Sequence, residues 1–143
     1  MSEEKVFFEK IDEDAMIPER QHSNDVGYDL YSIENAVLDV GEVKPIGTGL
    51  KVKLPKNLEA QVRPRSGLSL SGVTVLNTPG TIDPGYRGEI KVILANLFGD
   101  KKEIKKGDRI AQMIFSRVEH PDISVGSLDE TERGDGGLGS TGV

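Results

Sequence analysis

The close spacing of turn residues constrains the fold of this chain more than any other feature of its sequence. Seventeen glycines and seven prolines are spread over 143 residues, and most of the stretches between them are short. These stretches are rich in Val, Ile and Leu, and β-type runs occur at residues 36–40, 43–48, 50–54, 58–64, 73–75, 89–96 and 109–117. The pattern predicts an all-β protein, either a β-sandwich or a jelly roll.

Only one short helix is expected, at residues 67–71, because elsewhere the apolar residues lack a sustained spacing of three and four. From about Ser124 the chain turns polar, and its last eleven residues, 133–143, are too rich in glycine to hold a conformation of their own. We therefore expect one β domain over residues 1–123 and a C-terminal tail over residues 124–143 that is mobile without a ligand.

Charge and composition narrow the range of functions. The chain carries 18 basic and 24 acidic residues, and its net charge of −6 repels nucleic acid and anionic membranes at long range. Any phosphate site must therefore be built locally. The sequence has no cysteine, which excludes disulfides, thiolate nucleophiles and cysteine metal sites. No segment has the apolar length of a signal peptide or a membrane span, so we expect a cytoplasmic protein.

A carboxylate and an aromatic side chain lie within one tight turn, Asp83-Pro-Gly-Tyr86. Hydrolysis of a phosphoanhydride needs a water in line with the leaving oxygen, and Asp83 can orient and deprotonate that water as a general base. Tyr86 would then pack against a sugar. The same residues also fit a simple Asp-Pro-Gly reversal in which Tyr86 covers the edge of the core. The turn alone leaves both interpretations open.

A second polar cluster, Arg63-Pro-Arg65-Ser66-Gly67, lies at the start of the expected helix. Its guanidinium groups, hydroxyl and backbone N–H groups can together hold phosphate oxygens. The alternative is a helix cap at Ser66 with two solvated arginines. The cluster by itself is compatible with either.

Two polar residues lie inside apolar stretches. Asp29 is costly to bury as an ion unless it pairs with an arginine or lies near a cation. Gln112 is a lone amide between Ala111 and Met113, and a buried amide needs hydrogen-bond partners. Backbone groups or a ligand phosphate can supply them.

The glycine-rich segment that begins at Arg133 is the last cluster. Its small residues allow the backbone to approach phosphates closely, and Arg133 supplies positive charge. A flexible linker or tail explains the same composition.

The stretches around Asp29, Arg65, Asp83, Gln112 and Arg133 form five polar clusters along the chain. In their order and spacing these five clusters resemble the five sequence motifs of the trimeric deoxyuridine triphosphatases, the dUTPases. The resemblance extends from about residue 23 to the end of the chain. It is carried by Asp25-Val-Gly-Tyr-Asp-Leu30, by Pro64-Arg-Ser-Gly-Leu68, by Asn77-Thr-Pro-Gly-Thr-Ile-Asp-Pro-Gly-Tyr-Arg-Gly88, by Gly107-Asp-Arg-Ile-Ala-Gln112 and by Arg133-Gly-Asp-Gly-Gly-Leu-Gly-Ser-Thr-Gly142. Independent coincidence of five such matches is implausible.

The resemblance implies a β jelly roll assembled as a homotrimer, in which three chains build each active site and one C-terminal tail closes it. It implies hydrolysis of dUTP to dUMP and pyrophosphate, with Asp83 activating the water that attacks the α-phosphorus. Tyr86 would stack under the deoxyribose and reject a 2′-hydroxyl. Such an enzyme keeps uracil out of DNA and supplies dUMP for dTMP synthesis.

The resemblance also implies how the substrate is bound. Uracil would be recognised by a tight β-hairpin at about residues 72–80, which leaves no room for the methyl group of thymine. The triphosphate would be held by the second, fourth and fifth motifs with Mg²⁺, on which Asp29 would act through water. The implied substrate-binding residues are Arg65, Ser66, Gly67, Asn77, Gly80, Thr81, Ile82, Tyr86, Lys91, Gln112, Arg133, Gly137, Leu138, Gly139, Ser140 and Thr141.

One position departs from the family pattern. The tail residue that usually carries an aromatic ring over uracil is Leu138 here, and leucine covers the ring without stacking on it. We expect weaker lid closure and retained catalysis, because the charged groups are present.

Three other functions fit the sequence less well. A dCTP deaminase shares the jelly roll, but this chain is short for one and has the glycine-rich tail of the hydrolase. A non-catalytic nucleotide-sensing trimer would be expected to lack Asp83 or the tail. A structural β-sandwich without a ligand leaves the five clusters unexplained.

Overall fold

The computed structural model describes residues 4–142 as an almost entirely β protein. One five-residue helix, α1 (Ser66–Leu70), interrupts the strands. The strands are β1 (Phe7–Lys10), β2 (Tyr28–Tyr31), β3 (Ala36–Leu38), β4 (Val43–Gly47), β5 (Leu50–Lys53), β6 (Leu58–Arg63), β7 (Val73–Val75), β8 (Gly80–Ile82), β9 (Lys91–Asn96), β10 (Lys102–Ile104) and β11 (Arg109–Arg117). The all-β prediction and the single short helix are confirmed.

The strands of residues 4–142 pair antiparallel in four sheets, with the orders β2-β11-β6-β8, β4-β9-β7, β1-β5 and β10-β3. The long strand β11 is central to the largest sheet. Its residue Gln112 lies opposite Asp29 of β2 on one side and opposite Arg63 of β6 on the other. Three polar residues from distant parts of the sequence therefore meet at one level of this sheet. Pairing within the described strands does not close a barrel.

Aliphatic side chains fill the core. Leu30, Leu50, Val73, Val92 and Leu94 are fully buried, and they come from four different strands. Along β6 the burial alternates, so that one face packs inward while the other is only partly covered, as the pleat of a strand requires. Only 5% of the residues are aromatic, and branched aliphatic residues fill the core in their place.

Predicted and observed strand bounds agree within two residues. The runs 73–75 and 109–117 match β7 and β11. The run 89–96 begins two residues later, at Lys91, because Glu89 and Ile90 bond to the turn that precedes β5. The short strands β1, β2, β8 and β10 fell outside the predicted runs, and each pairs with one other strand only. For β2 the sequence indicated no more than the apolar stretch around Asp29.

The segment expected to form a β-hairpin is a turn between two sheets. β7 pairs with β9 and β8 pairs with β6, so the strands on either side of residues 76–79 are not ladder partners. Thr78 N–H donates to the Val75 carbonyl at 3.2 Å, and the Thr78–Pro79 peptide is cis. The prediction of a paired hairpin at 72–80 was wrong because the chain crosses from one sheet to another there.

After β11 the chain has no helix or strand as far as residue 142. Residues 119–142 are exposed except for the half-exposed Gly136. The backbone hydrogen bonds of the terminal segment join residues of that segment to each other, as in Ser140 N–H to the Gly137 carbonyl at 2.8 Å. A separate tail from residue 124 stays a prediction. None of the helices within residues 4–142 is long and apolar enough to cross a membrane.

Candidate active site

Most of the predicted site residues before the tail line two separate cavities. One, the Arg65 cavity, is lined by Gln21, Asp25, Val26, Gly27, Asp29, Arg65, Ser66, Gly67 and Gln112. The other, the Asp83 cavity, is lined by Pro45, Thr81, Ile82, Asp83, Tyr86, Glu89, Ile90, Lys91 and Ile93. The two cavities have no lining residue in common. Within a single chain, the second motif and the third motif therefore lie in different cavities.

Asp29 is the buried charge of the Arg65 cavity. Its side chain is 10% exposed, and Oδ1 accepts a hydrogen bond from Arg65 Nε at 3.2 Å. Oδ2 accepts one from Gln21 Nε2 at 2.8 Å and lies 4.0 Å from Arg109 Nη1. Both oxygens are therefore compensated, which offsets the cost of burying the ion. The pairing with an arginine, left open by the sequence, is confirmed.

Gln112 has a backbone partner, since its Nε2 donates to the Pro64 carbonyl at 3.0 Å. Its Oε1 lies directly against Gly27, where a Cβ atom would overlap it. A larger residue at position 27, directly before β2, would therefore displace the amide of Gln112. The sequence signal for this was the glycine in Asp25-Val-Gly27, which was not assigned a role of its own.

Helix α1 does not begin with the Ser66 cap that the sequence left open. The N-cap residue is Arg65, with φ −96° and ψ 139°, and no side chain caps the helix. The alternative interpretation, a cap at Ser66, is excluded because the chain enters the helix one residue earlier. Ser66 and Gly67 are exposed and line the cavity, so the hydroxyl and the first backbone N–H groups are available to a ligand.

In the Asp83 cavity, Asp83 directly follows β8 and begins a turn in which Tyr86 N–H donates to its carbonyl at 3.0 Å. The expected turn is confirmed. The Asp83 side chain is exposed, and its carboxylate makes no hydrogen bond or ion pair with the rest of the described chain, residues 4–142. It is therefore free to accept a hydrogen bond from a bound water.

Tyr86 is held in one orientation beside Asp83. Its hydroxyl donates to the Glu89 carbonyl at 2.9 Å, and its ring lies over Gly88, where a Cβ atom would collide with the ring. The residue is 45% exposed, so one face of its ring is open to solvent. Such a face suits packing against a sugar.

The remaining residues of the third motif lie around this turn. Thr81 and Ile82 belong to β8, and Lys91 begins β9 on the other side of the cavity. Asn77 is exposed in the turn at 76–79, and its Nδ2 would lie 3.1 Å from a Cβ atom at Gly80. The glycine therefore leaves room for the asparagine side chain.

The tail residues lie apart from both cavities. Arg133 Nε donates to the Gly136 carbonyl at 2.8 Å within the tail itself. Leu138 is fully exposed, and Gly137, Gly139, Ser140 and Thr141 are exposed as well. One chain thus presents three groups of predicted site residues without bringing them together.

Among residues 4–142, protein side chains alone do not form a metal site. Within residues 4–142 no group of three His, Asp or Glu side chains is placed to hold an ion. Both oxygens of Asp29 already accept hydrogen bonds from protein groups. This arrangement fits a Mg²⁺ ion carried mainly by phosphate oxygens and water, with Asp29 reaching it through water.

Comparison with known proteins agrees with the geometry. A family model described as dUTPase matches residues 13–142. The chain is 50% identical over 141 residues to the deoxyuridine 5′-triphosphate nucleotidohydrolase of Clostridium kluyveri, a match that covers 97% of this chain and 99% of the relative. The enzyme of the same name from Clostridioides difficile is 53% identical over 135 residues, covering 93% and 94%.

Solved structures show the same fold. A Staphylococcus bacteriophage 80alpha dUTPase mutant solved with dUpNHpp superimposes with a TM-score of 0.88 at 27% identity, over 97% of this chain and 99% of that one. A dUTPase mutant from phage phi11 of S. aureus, whose structure revealed the coordination of a structural Mg(II) ion, gives a TM-score of 0.79 at 24% identity, over 90% and 99%. At that identity the second likeness concerns the fold alone.

Proposed function

The chain belongs to the dUTPase family and hydrolyses dUTP to dUMP and pyrophosphate, and on this premise we propose that Asp83 is the general base of the reaction. The observation that carries the proposal is the free, exposed carboxylate of Asp83 in a cavity shared with Tyr86 and Lys91. A carboxylate without a protein partner can take a proton from water as that water attacks the α-phosphorus. Lys91 supplies positive charge in the same cavity.

Tyr86 is the proposed sugar-selecting residue. Its ring is fixed by the hydrogen bond to the Glu89 carbonyl and by Gly88 beneath it. A fixed ring packed against deoxyribose leaves no space for a 2′-hydroxyl. The turn at residues 76–79, with Asn77, Gly80, Thr81 and Ile82, is the proposed uracil-recognition element in place of the expected hairpin. Steric exclusion there rejects the methyl group of thymine.

The Arg65 cavity is the proposed triphosphate site. Arg65 and Gln112 contribute charged and amide donors, while Ser66 and Gly67 contribute a hydroxyl and backbone N–H groups. Mg²⁺ bound to the phosphates would neutralise part of their charge. Asp29, held by Arg65 and Gln21, would orient the water that coordinates this ion.

We propose that three chains complete each site, in a homotrimer of jelly rolls. The Asp83 and Arg65 cavities have no lining residue in common, and the tail contacts neither of them within its own described chain. Hydrolysis needs the base, the phosphate ligands and the tail around one substrate. Neighbouring subunits can supply these three groups together. Residues 124–143 are the proposed lid, which brings Arg133, Ser140 and Thr141 to the phosphates.

The proposed cellular role is to keep uracil out of DNA and to supply dUMP for dTMP synthesis. This role places the protein where deoxynucleotides are made, which we take to be the cytoplasm. It requires strong preference for dUTP over the other pyrimidine nucleotides.

Pyrophosphate release in the presence of Mg²⁺ tests the reaction and its specificity. We expect fast release from dUTP and little from dTTP, dCTP or UTP at equal concentration. The turn at 76–79 excludes the methyl group of thymine, and Tyr86 excludes the 2′-hydroxyl of UTP. Cytosine presents an amino group and a bare ring nitrogen where uracil has a carbonyl and an N–H, so hydrogen-bonding groups placed for uracil do not match it. A steady-state phosphate assay coupled to pyrophosphatase measures all four. Release from dCTP at a comparable rate would contradict the assigned specificity, and no release from dUTP would contradict the function itself.

Leu138→Phe tests the departure of the lid from the family pattern. Restoring a ring that stacks on uracil is worth about 1 kcal/mol, so we expect kcat/KM for dUTP to rise about fivefold. Leu138→Ala is the matched control and is expected to fall below wild type, because the apolar cover is lost. Since Leu138 is fully exposed in the free chain, neither change affects folding. Equal kcat/KM in all three proteins would show that this side chain does not cover the base.

A further inference from the structure

The turn Gly47-Thr48-Gly49, between β4 and β5, anchors the end of the Asp83 segment. Thr48 N–H and its buried hydroxyl donate to the Ile90 carbonyl, at 3.2 and 2.6 Å. Gly49 N–H donates to Glu89 Oε2 at 3.0 Å. Three hydrogen bonds between residues about forty positions apart therefore hold residues 89 and 90 against this turn.

The anchoring turn is rigid, whereas the segment it holds is open to solvent. Thr48 and Gly49 are buried, and Gly49 has φ +72°, a conformation that favours glycine. The Gly49 carbonyl also accepts a hydrogen bond from Ile11 N–H at 2.9 Å. By contrast, Asp83 and Tyr86 are exposed. The position of the Asp83–Tyr86 turn depends on where its ends are fixed.

Glu89 connects the rigid turn to the side chain of Tyr86. Its carboxylate accepts from Gly49 N–H, and its own carbonyl accepts from the Tyr86 hydroxyl at 2.9 Å. A hydrogen bond from a backbone N–H to a carboxylate is about twice as strong as one between neutral groups. Because Glu89 is half-buried, water competes less for this bond. The side chain of Glu89 thereby fixes the carbonyl that orients the ring.

We infer that Glu89 is a positioning residue for dUTP hydrolysis, which sets the orientation of Tyr86 and, through the Asp83–Tyr86 turn, the place of the catalytic base. The inference rests on the proposed roles of Asp83 and Tyr86. Glu89 touches neither water nor substrate in this scheme and acts through Tyr86. Its loss lowers catalysis with dUTP and weakens the rejection of UTP, because both depend on where the ring lies.

Substitutions at Glu89 separate the hydrogen bond from the charge. Glu89→Ala removes the acceptor for Gly49 N–H, whereas Glu89→Gln keeps an oxygen that can accept the same bond. We expect Glu89→Ala to lower the ratio of kcat/KM for dUTP to that for UTP about tenfold, as a small misplacement of a reacting group does. Glu89→Gln is expected to restore a ratio close to wild type.

Glu34→Ala is the matched control on the same turn. Glu34 Oε2 accepts from Gly47 N–H at 3.0 Å, the same distance and the same kind of bond, yet Glu34 makes no hydrogen bond to the described residues 83–89. The two alanine variants are expected to lower the melting temperature alike. Only Glu89→Ala is expected to change the preference for dUTP over UTP.

Fluorine NMR gives a readout that does not depend on activity. The chain has three tyrosines, so protein labelled with 3-fluorotyrosine shows three resonances, and Tyr86→Phe identifies the one from Tyr86. We expect Glu89→Ala to shift or broaden that resonance, while Glu89→Gln and Glu34→Ala leave it in place. All samples are the full-length assembled protein without nucleotide.

The inference is overturned if Glu89→Ala keeps the wild-type dUTP preference or the wild-type Tyr86 resonance. It is also overturned if Glu34→Ala reproduces both effects, since the turn as a whole would then be responsible. Failure of the proposed function has a different signature, namely wild-type protein that releases no pyrophosphate from dUTP. The tyrosine spectra then still decide whether Glu89 holds Tyr86.

Discussion

Asp83→Asn is expected to stop turnover of dUTP while the fold, the assembly and nucleotide binding stay intact. Asparagine has nearly the shape of aspartate but cannot take a proton from the attacking water. General-base catalysis contributes about 10²–10⁴-fold, so kcat should fall by at least that factor. The carboxylate has no partner among residues 4–142 and is exposed, so its neutralisation breaks no native contact. Pyrophosphate release under saturating dUTP measures the effect.

The control for this variant is Asp100→Asn, a second exposed aspartate outside both cavities. It is expected to keep wild-type kcat. Binding is checked separately by the rise in melting temperature that dUMP produces, which should be equal in wild type and in Asp83→Asn. Full activity in Asp83→Asn would remove Asp83 from the mechanism. A lost thermal shift would instead assign it to substrate binding.

The sequence predicted those parts of the fold that depend on local pattern. Strands such as β7 and β11 and the turn at Asp83 follow from apolar runs and from Asp-Pro-Gly, both of which can be read within a few residues. The strands β1, β8 and β10 were missed because each contains only one or two large apolar residues, too few to stand out as a β-type run. The paired hairpin failed for a different reason, since strand pairing is set by the whole sheet.

The contacts of the site could not be predicted from the sequence alone. Asp29 and Arg65 are 36 positions apart, and they meet because β11 pairs with β2 on one side and with β6 on the other. That neighbourhood is tertiary information, so the sequence left arginine pairing and a cation as equal alternatives for Asp29. Gln21 and Glu89 were missed as partners for the same reason, because each reaches a residue that no local pattern links to it.

Assembly is a further level that one chain does not contain. The family resemblance implied a shared site, but no spacing in the sequence separates the Arg65 cavity from the Asp83 cavity. The structure shows this separation directly, since the two cavities have different linings. If the sites are shared between subunits, an inactive variant of the Arg65 cavity and an inactive variant of the Asp83 cavity are expected to regain activity when they are mixed in one assembly.

Truncation after Glu132 is expected to lower kcat for dUTP sharply while leaving the fold unchanged. Residues 133–142 are exposed or half-exposed, and within the described chain they form hydrogen bonds only to residues 131–142. Their removal therefore takes no hydrogen bond away from the β domain. The enzyme does lose Arg133 and the small residues proposed to close over the phosphates. Imperfect placement of a reacting group costs about 10²-fold, and we expect a loss of that order. Pyrophosphate release and the melting temperature together measure the two effects.

A length-matched tail shows which property of the lid matters. Replacing residues 133–142 by an equal stretch of Gly and Ser keeps the length and flexibility but removes Arg133 and Leu138. If the charge of Arg133 and the apolar side chain of Leu138 close the site, this variant should be as slow as the truncated chain. Restoring Arg133 alone should then recover part of kcat. Wild-type rates in the truncated protein would show that the tail is dispensable. A lower melting temperature would show that it supports the fold, contrary to its exposure in this structure.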